Sequence, residues 1–171
     1  APTLVNSAQS LKDAMLVKGA NIVLCDNIVV DASTPLQWGK YMFVANGREV
    51  TIDLNGHSII VNEDTQLKTN AVFTTANGGT LNIVGDGTIE VTNRKSGIFH
   101  AMNKDDQINV YGGTYVSNSD NGSDALAIMY TNSGNIDVYG GVFCPLAGIP
   151  CANAEDRQGD RISIVFHEGV L

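Results

Sequence analysis

Hydrophobic and polar residues alternate in short stretches along this chain, and one such stretch returns five times. The five apolar, polar, apolar triplets are Ile52-Asp53-Leu54, Leu81-Asn82-Ile83, Ile108-Asn109-Val110, Ile136-Asp137-Val138 and Ile162-Ser163-Ile164. They are separated by 29, 27, 28 and 26 residues, which is a spacing typical of solenoid repeats. A period of two is the pattern of a strand, so each repeat is predicted to point two aliphatic side chains inward and one polar side chain outward.

Each repeat has room for three short strands. The strands predicted for the first four coils are 21–24, 28–30 and 41–44; 50–54, 59–61 and 71–75; 81–84, 89–91 and 98–101; and 108–111, 115–117 and 126–130. Turns with glycine separate the first two strands of a coil, as at Asn55-Gly56-His57 and Gly85-Asp86-Gly87. The glycines are therefore expected at one corner of the coil.

Two further sets of residues recur with the repeat. Aromatic and aliphatic residues on the third strand are expected to stack as an inward column: Phe43, Phe73, Phe99 and Ile128. Asparagine follows four residues after the last three of these, at Asn77, Asn103 and Asn132. Since asparagine tolerates left-handed backbone and its side chains can bond from rung to rung, the three are predicted to form an amide ladder at a corner.

The N-terminal segment has helical rather than strand periodicity. Residues 6–18 are predicted to form a short amphipathic helix, with Asn6 as N-cap, Gln9 three residues later and Gly19 as the stop. Its apolar face consists of Leu11, Ala14 and Met15. We expect this helix to cover the apolar end of the first coil, with binding of a partner as the alternative. The predicted organisation is one domain, with the capping helix in 1–19, the coil in 20–171 and an irregular excursion at 144–160.

Composition agrees with a single domain of short strands and many turns. Hydrophobic residues make up 43% of the 171 residues and charged residues 16%, with 18 glycines. The formal charge of −8 argues against a nucleic-acid partner, which would require clustered Lys and Arg. No apolar run approaches the ~20 residues that span a bilayer, and no signal segment is recognised at the N-terminus, so no membrane partner is expected.

The three cysteines, Cys25, Cys144 and Cys151, are odd in number and have no metal-ligand spacing. They do not suggest a secreted disulfide framework. Free thiols and a bridge between Cys144 and Cys151 across a short loop remain alternatives.

With three strands in each turn, inward aliphatic stacks, corner glycines and a predicted asparagine ladder, the chain from Ala20 onward resembles the right-handed parallel β-helix proteins. The resemblance implies an all-β fold: a single-stranded right-handed parallel β-helix of about five to six coils with a short N-terminal capping helix. Its members include pectate-lyase-like enzymes, bacteriophage tailspikes and other virion-surface proteins, and adhesins. Function on such a fold depends on the sites it carries, and no catalytic signature of one family is recognised here.

The outward column Asp53, Asn82, Asn109, Asp137 and Ser163 lies on the face where pectate-lyase-like enzymes place their chemistry. Asp53 and Asp137 are expected three rungs apart, roughly 14 Å at strand spacing, whereas paired glycosidase carboxylates lie about 5 to 9.5 Å apart. A lyase would need several carboxylates for calcium and a nearby base, and Asn82 and Asn109 supply neither. We therefore predict no catalytic residue, no metal and no cofactor, and interpret the column as a solvated ladder.

Four residues are the candidates for binding: Tyr111, Tyr139, Asp53 and Asp137. The two tyrosines recur in the phrase Val-Tyr-Gly-Gly on adjacent coils, so their rings are expected to stack on the outer face. Such a stack could bind sugar or a neighbouring subunit, and ladder packing alone is the alternative. The three histidines, His57, His100 and His167, are scattered and are expected at the surface or at corners.

The ends of a parallel coil expose unpaired backbone, which natural proteins cover. The sequence after Phe166 offers no element comparable to the N-terminal helix. We therefore expect the last rung to be covered by the excursion at 144–160, by another copy or by a different protein.

This expectation favours a non-enzymatic structural protein of a virus particle, such as a bacteriophage head decoration or surface spike. It would assemble in the host cytoplasm, lie on the virion surface, and contact itself, as a homotrimer, and the major capsid protein or another virion protein. The alternatives are a carbohydrate-binding or carbohydrate-cleaving β-helix protein, with a glycan as partner, and a bacterial surface adhesin module.

Overall fold

The computed structural model describes residues 1–37, 41–62, 71–92, 96–119, 128–154 and 164–168. In these ranges the chain forms a parallel β-solenoid with one short helix, α1 (Ala8–Ala14). Strands lie along three sides of the coil, and each pairs in parallel with the strand of the next turn on the same side. The predicted all-β parallel fold is therefore confirmed, while its right-handedness stays a prediction.

The three sides are three sheets, numbered in the order in which the chain visits them. Sheet 1 has seven strands: β1 (Thr3–Val5), β2 (Ala20–Leu24), β5 (Glu49–Asp53), β8 (Thr80–Val84), β11 (Gln107–Val110), β14 (Asn135–Val138) and β17 (Ile164–Phe166). Sheet 2 has five: β3 (Ile28–Val30), β6 (Ser58–Val61), β9 (Thr88–Val91), β12 (Thr114–Ser117) and β15 (Val142–Cys144). Sheet 3 has five: β4 (Phe43–Asn46), β7 (Ala71–Ala76), β10 (Gly97–Ala101), β13 (Met129–Thr131) and β16 (Ala152–Ala154).

The solenoid has about four turns, fewer than the five to six coils expected. Each repeated motif corresponds to one rung, that is, one strand of sheet 1. The five rungs from β2 to β14 enclose only four turns, so the number of motifs exceeds the number of turns. The predicted strands of these turns lie within a few residues of the observed ones. Leu126 and Ala127, at the start of the strand predicted for 126–130, lie outside the described residues, as do residues 155–160 of the predicted excursion.

The core is built from the inward residues of all three sheets. The phenylalanine column is confirmed, with ring centroids 5.1 Å apart for Phe43 and Phe73 and 6.1 Å apart for Phe73 and Phe99. The strand register places Met129 beside Phe99, so the prediction of Ile128 at that rung is wrong by one residue. Ile128 and Met129 are both buried, because residues on the outer as well as the inner side of sheet 3 are shielded from solvent.

The sheet 1 register corrects the repeat at both of its ends. Asn82 pairs with Thr51, and Asp53 pairs with Val84, so the first repeat is Val50-Thr51-Ile52 rather than the triplet two residues later. At the other end Ile164 pairs with Ile136, while Ile162 and Ser163 lie outside the described residues. A shift of two residues keeps every side chain on its face, which is why the period-two pattern alone could not fix the register.

The N-terminal end is closed by α1, as predicted, although its cap is Ser7 rather than Asn6. The Ser7 hydroxyl accepts the N–H of Ser10 at 3.1 Å, and the Ser10 hydroxyl accepts the N–H of Ser7 at 3.0 Å. This reciprocal capping starts the helix one residue later than expected, and the helix ends before Met15 rather than at Lys18. Leu11 and Met15 are fully buried against the first coil, where α1 contacts β2, β3 and β4.

Sequence analysis missed the strand β1 before this helix. It adds to sheet 1 beside β2, with Val5 facing inward opposite Leu24 and Leu4 facing outward opposite Val23. Three residues are too few to give a period-two signal above chance. The N-terminal end of the coil is therefore covered by one strand and one helix.

A buried carboxylate, rather than an asparagine ladder, joins the coils at the corner between sheets 3 and 1. Asp106 accepts the backbone N–H of Gly78 at 2.8 Å and that of Asn103 at 2.7 Å. Asn77 is left-handed, as predicted, but its amide donates to Asn46, and Asn132 lies one residue out of register with Asn103. The predicted ladder is therefore wrong. Burial raises the pKa of Asp106, while its backbone hydrogen bonds act in the opposite direction.

Candidate functional site

The outer face of sheet 1 carries three columns of side chains along the solenoid, of which the one formed by Glu49, Thr80, Gln107 and Asn135 neighbours the two described next. One column is polar for most of its length, and its members are Asn21, Thr51, Asn82, Asn109, Asp137 and Val165. The other lies two residues further along each strand, and its members are Leu4, Val23, Asp53, Val84, Tyr111, Tyr139 and His167. Neighbouring rungs in such columns are about 4.8 Å apart, so their side chains are in contact distance.

The second column ends in an aromatic stack. The rings of Tyr111 and Tyr139 are 5.0 Å apart with an angle of 9°, which confirms the predicted stacking. The imidazole of His167 continues the stack, 4.1 Å from Tyr139 at 11°. Tyr111 is 49% exposed and Tyr139 45%. We call Tyr111, Tyr139 and His167 the aromatic stack.

Sequence analysis did not place His167 in this stack, although a signal for it existed. Each of the last three triplets, once aligned by the observed register, is followed by an aromatic ring at the next position: Tyr111, Tyr139 and His167. The sequence pattern alone puts the fifth triplet two residues too early, at 162–164. With that placement His167 does not align with Tyr111 and Tyr139.

The first column is part of a continuous chain of hydrogen bonds that also includes Glu49 and Gln107 from the neighbouring column and His167 from the second column. His167 Nε2 lies 3.0 Å from Asp137 Oδ1, and Gln107 Nε2 donates to Asp137 Oδ2 at 2.6 Å. Gln107 also donates to Asn109 at 2.9 Å, Asn109 to Asn82 at 2.9 Å, and Asn82 to Glu49 at 3.0 Å. The predicted ladder is therefore confirmed for Asn82, Asn109 and Asp137, whereas Asp53 lies in the other column and Ser163 lies outside the described residues. Side-chain amides tie four rungs together, and His167 adds the fifth through Asp137.

Asp53 and Asp137 do not form a pair. They lie three rungs apart and in different columns, so their separation exceeds the roughly 14 Å set by the rungs alone. The Asp53 carboxylate accepts the N–H of Asn55 at 2.8 Å, and a Cβ on Gly85 would overlap it. Gly85 also has φ +79, a conformation that favours glycine. Asp53 therefore holds a turn, whereas Asp137 belongs to the polar chain beside the aromatic stack.

The stack limits how this face can bind a flat ligand. Tyr139 has one ring face against Tyr111 and the other against His167, so only ring edges and its hydroxyl point outward. Stacking of a sugar on an aromatic ring needs an open ring face. The face also carries Glu49, Asp53 and Asp137, and the described strands of sheet 1 contain no Lys or Arg.

The last rung, made of β15, β16 and β17, differs from every rung before it. Its inward residues Phe143, Ile164 and Phe166 pack against the core but remain partly exposed. Phe143 stacks on Tyr115 at 5.1 Å and meets Phe166 edge-on at 6.0 Å, so the column of the core continues into this rung. Each of the three sheets ends here among the described residues. We call this surface the open rung.

A shallow groove lies on the outer face of sheet 2, next to the open rung. Its volume is about 420 Å³, and its lining includes Glu90, Thr92, Val116, Asn118, Cys144 and Leu146. The three cysteines are free thiols, so the alternative of a Cys144 to Cys151 bridge is not formed in this structure. Burial raises the pKa of the Cys151 thiol to about 11, which keeps it protonated and unreactive at neutral pH.

His100 is the one histidine that contradicts the expected surface position. It lies on the outer side of sheet 3, is 6% exposed, and stacks on Tyr130 at 4.9 Å. Neither ring nitrogen has a hydrogen-bond partner in the described structure. Burial lowers the pKa of His100 to about 4, so the ring is neutral at pH 7.

Neither a metal-binding cluster nor a membrane-spanning helix occurs among the described residues. No three His, Cys, Asp or Glu side chains lie close enough together to ligate one metal ion. The helix present there is too short to cross a bilayer.

Comparisons with family models, with curated proteins and with solved structures found no match to this chain.

Proposed function

We propose that this chain is a non-enzymatic structural protein that acts through protein–protein contacts made at the open rung. The observation that carries the proposal is the partial exposure of Phe143, Ile164 and Phe166 at the end of a core that is otherwise buried. Contiguous apolar surface of this kind marks interaction sites in soluble proteins. The aromatic stack adjoins the open rung through His167 and extends the same surface onto the side of the solenoid.

The setting we propose is a virus particle, as a bacteriophage head decoration or surface spike that contacts a capsid protein. This part rests on the resemblance to virion-surface β-helix proteins and on the small, rigid shape of a solenoid of about four turns. Two features of sheet 1 support a structural role. A chain of side-chain hydrogen bonds runs across its outer face from Glu49 to His167, and its two candidate carboxylates, Asp53 and Asp137, are too far apart to cooperate in catalysis.

The test is co-sedimentation of the purified chain with assembled shells of the virus that encodes it. Saturable binding, weakened by Phe166→Asp and unchanged by Leu16→Asp, is the expected result. Leu16 is an exposed apolar residue near the capped end, so it controls for the added charge. Absence of binding to any particle, with folded protein, would contradict the proposal.

A carbohydrate-binding role is the second candidate, favoured by the exposure of Tyr111 and Tyr139 beside Asp137. A glycan would have to meet ring edges, hydroxyls and the Asp137 carboxylate, since the faces of Tyr139 are covered. A glycan array separates the two roles. Binding that is lost in Tyr139→Ala and kept in Phe166→Asp would favour the second, and reducing-sugar release abolished by Asp137→Ala would indicate cleavage.

A further inference from the structure

We infer that the open rung binds the open rung of a second copy of this chain. The two copies are related by a two-fold axis perpendicular to the long axis of the solenoid, so that β17 of one copy pairs antiparallel with β17 of the other. This inference rests on the proposed function, because it names a second copy as the protein that contacts the open rung; any contact with a capsid protein would then use surface that the dimer leaves exposed. Three properties of the rung carry it: its charge, its shape and the contrast with the opposite end.

The open rung is uncharged in an acidic protein. Its nine strand residues include no Asp, Glu, Lys, Arg or His: Val142, Phe143, Cys144, Ala152, Asn153, Ala154, Ile164, Val165 and Phe166. The whole chain carries a formal charge of −8. Two copies would therefore repel each other over most of their surfaces, whereas the nine strand residues of the open rung bring no carboxylate to a contact between copies.

The rung is also complementary to itself. A two-fold axis through the centre of β17 brings β17 against its own copy and brings β15 against β16 of the other chain. Each of the three strands has three described residues. The rotation reverses the direction of the coil, so the strands meet in antiparallel orientation. The inward Phe143 and Phe166 of both copies then continue one core across the interface.

The opposite end cannot supply the partner surface. A head-to-tail contact would place the open rung on the first coil, where α1 already contacts strands of all three sheets. There β1 is the edge of sheet 1, while the edge strands β3 and β4 lie against α1. An isologous contact between two open rungs covers both of them and closes, so it predicts a dimer and not a fibre.

The test uses Val165, the central residue of β17. In the inferred dimer it lies opposite Val165 of the second copy. Light scattering after size exclusion is expected to give twice the chain mass of 18.1 kDa for the native chain. Val165→Asp and Val165→Lys should each abolish the dimer through like charges on the axis. Mixing the two variants should restore it, since opposite charges then meet.

Matched controls are Val29→Asp and Val29→Lys, because Val29 is an exposed valine on an edge strand near the other end. Both should leave the dimer intact. A monomeric native chain at every concentration, a mass of three chains, or failure of the mixed variants to associate while circular dichroism shows them folded would overturn the inference. If the chain stays monomeric yet co-sediments with shells, the dimer is contradicted and the proposed function still stands.

Discussion

The two ends of the solenoid carry the same inward pattern and have different surroundings. In the first coil the inward residues Ile22, Leu24, Ile28 and Phe43 are at most 1% exposed, because Leu11 and Met15 of α1 lie over them. In the open rung Phe143, Ile164 and Phe166 face the same direction but stay partly exposed. Apolar alternation therefore produces a strand at either end. A neighbour beyond the last strand is needed to produce a core.

The largest effect is expected from removing the cover at the first coil. Leu11→Ala leaves a cavity under the helix, so the free energy of unfolding should fall by about 3 kcal/mol, within the range for buried leucine. Urea denaturation at several protein concentrations measures it, and the loss should be the same at all of them. A loss below about 1 kcal/mol would mean that α1 does not close the coil.

Acid should destabilise the fold through His100, in the middle of the solenoid. Unfolded His100 gains a proton near its usual pKa of 6.5, whereas burial delays protonation in the fold to about pH 4. Stability contributed by the neutral ring is thus lost as pH falls from 6.5 toward 4, by about 3 kcal/mol over that window. The measurement is urea denaturation as a function of pH.

The matched variant for this pH effect is His100→Phe, which keeps a ring against Tyr130 and cannot titrate. It should flatten the pH dependence between pH 6.5 and 4. An unchanged slope in this variant would assign the acid sensitivity to another group.

A smaller effect is expected at the open rung. Phe166→Ala removes a ring that is only partly buried in one chain, so the loss at low concentration should be about 1.5 kcal/mol, roughly half of a fully buried phenylalanine. At concentrations that favour the dimer the loss should grow, in contrast to Leu11→Ala. Equal losses at both concentrations would break the distinction between the two ends.

The smallest change in stability is expected at the N-cap of α1, where the structure has Ser7 and the sequence prediction was Asn6. Ser7→Ala removes the hydroxyl that accepts the Ser10 N–H, at a cost of about 1 kcal/mol. Asn6→Ala should cost almost nothing, because in the described contacts Asn6 uses only its backbone N–H toward Ser10. Thermal unfolding of both variants measures the difference, and a larger loss for Asn6→Ala would contradict the assigned cap.

Much of the fold could be predicted from the sequence, since period-two alternation recurs at nearly constant spacing. The phenylalanine column and the stacked tyrosines follow from that spacing alone. The register of Asp53 did not, because Val50-Thr51-Ile52 and Ile52-Asp53-Leu54 satisfy the same pattern. The position of His167 could have been predicted from the triplet before it, once the register was known. The roles of His100 and Asp106 depend on which chain segments meet in space, and no local pattern in the sequence encodes those meetings.

Hydrogen exchange of the native chain at two protein concentrations, read by mass spectrometry on peptides covering β2, β3, β15 and β17, tests the central claim most directly. In dilute solution the amides of β2 and β3 should be strongly protected and those of β15 and β17 weakly. Raising the concentration should protect β15 and β17 and leave β2 and β3 unchanged. Strong protection of β15 and β17 at every concentration, or added protection at the helix-covered end, would contradict the contrast between a closed first coil and an open last rung.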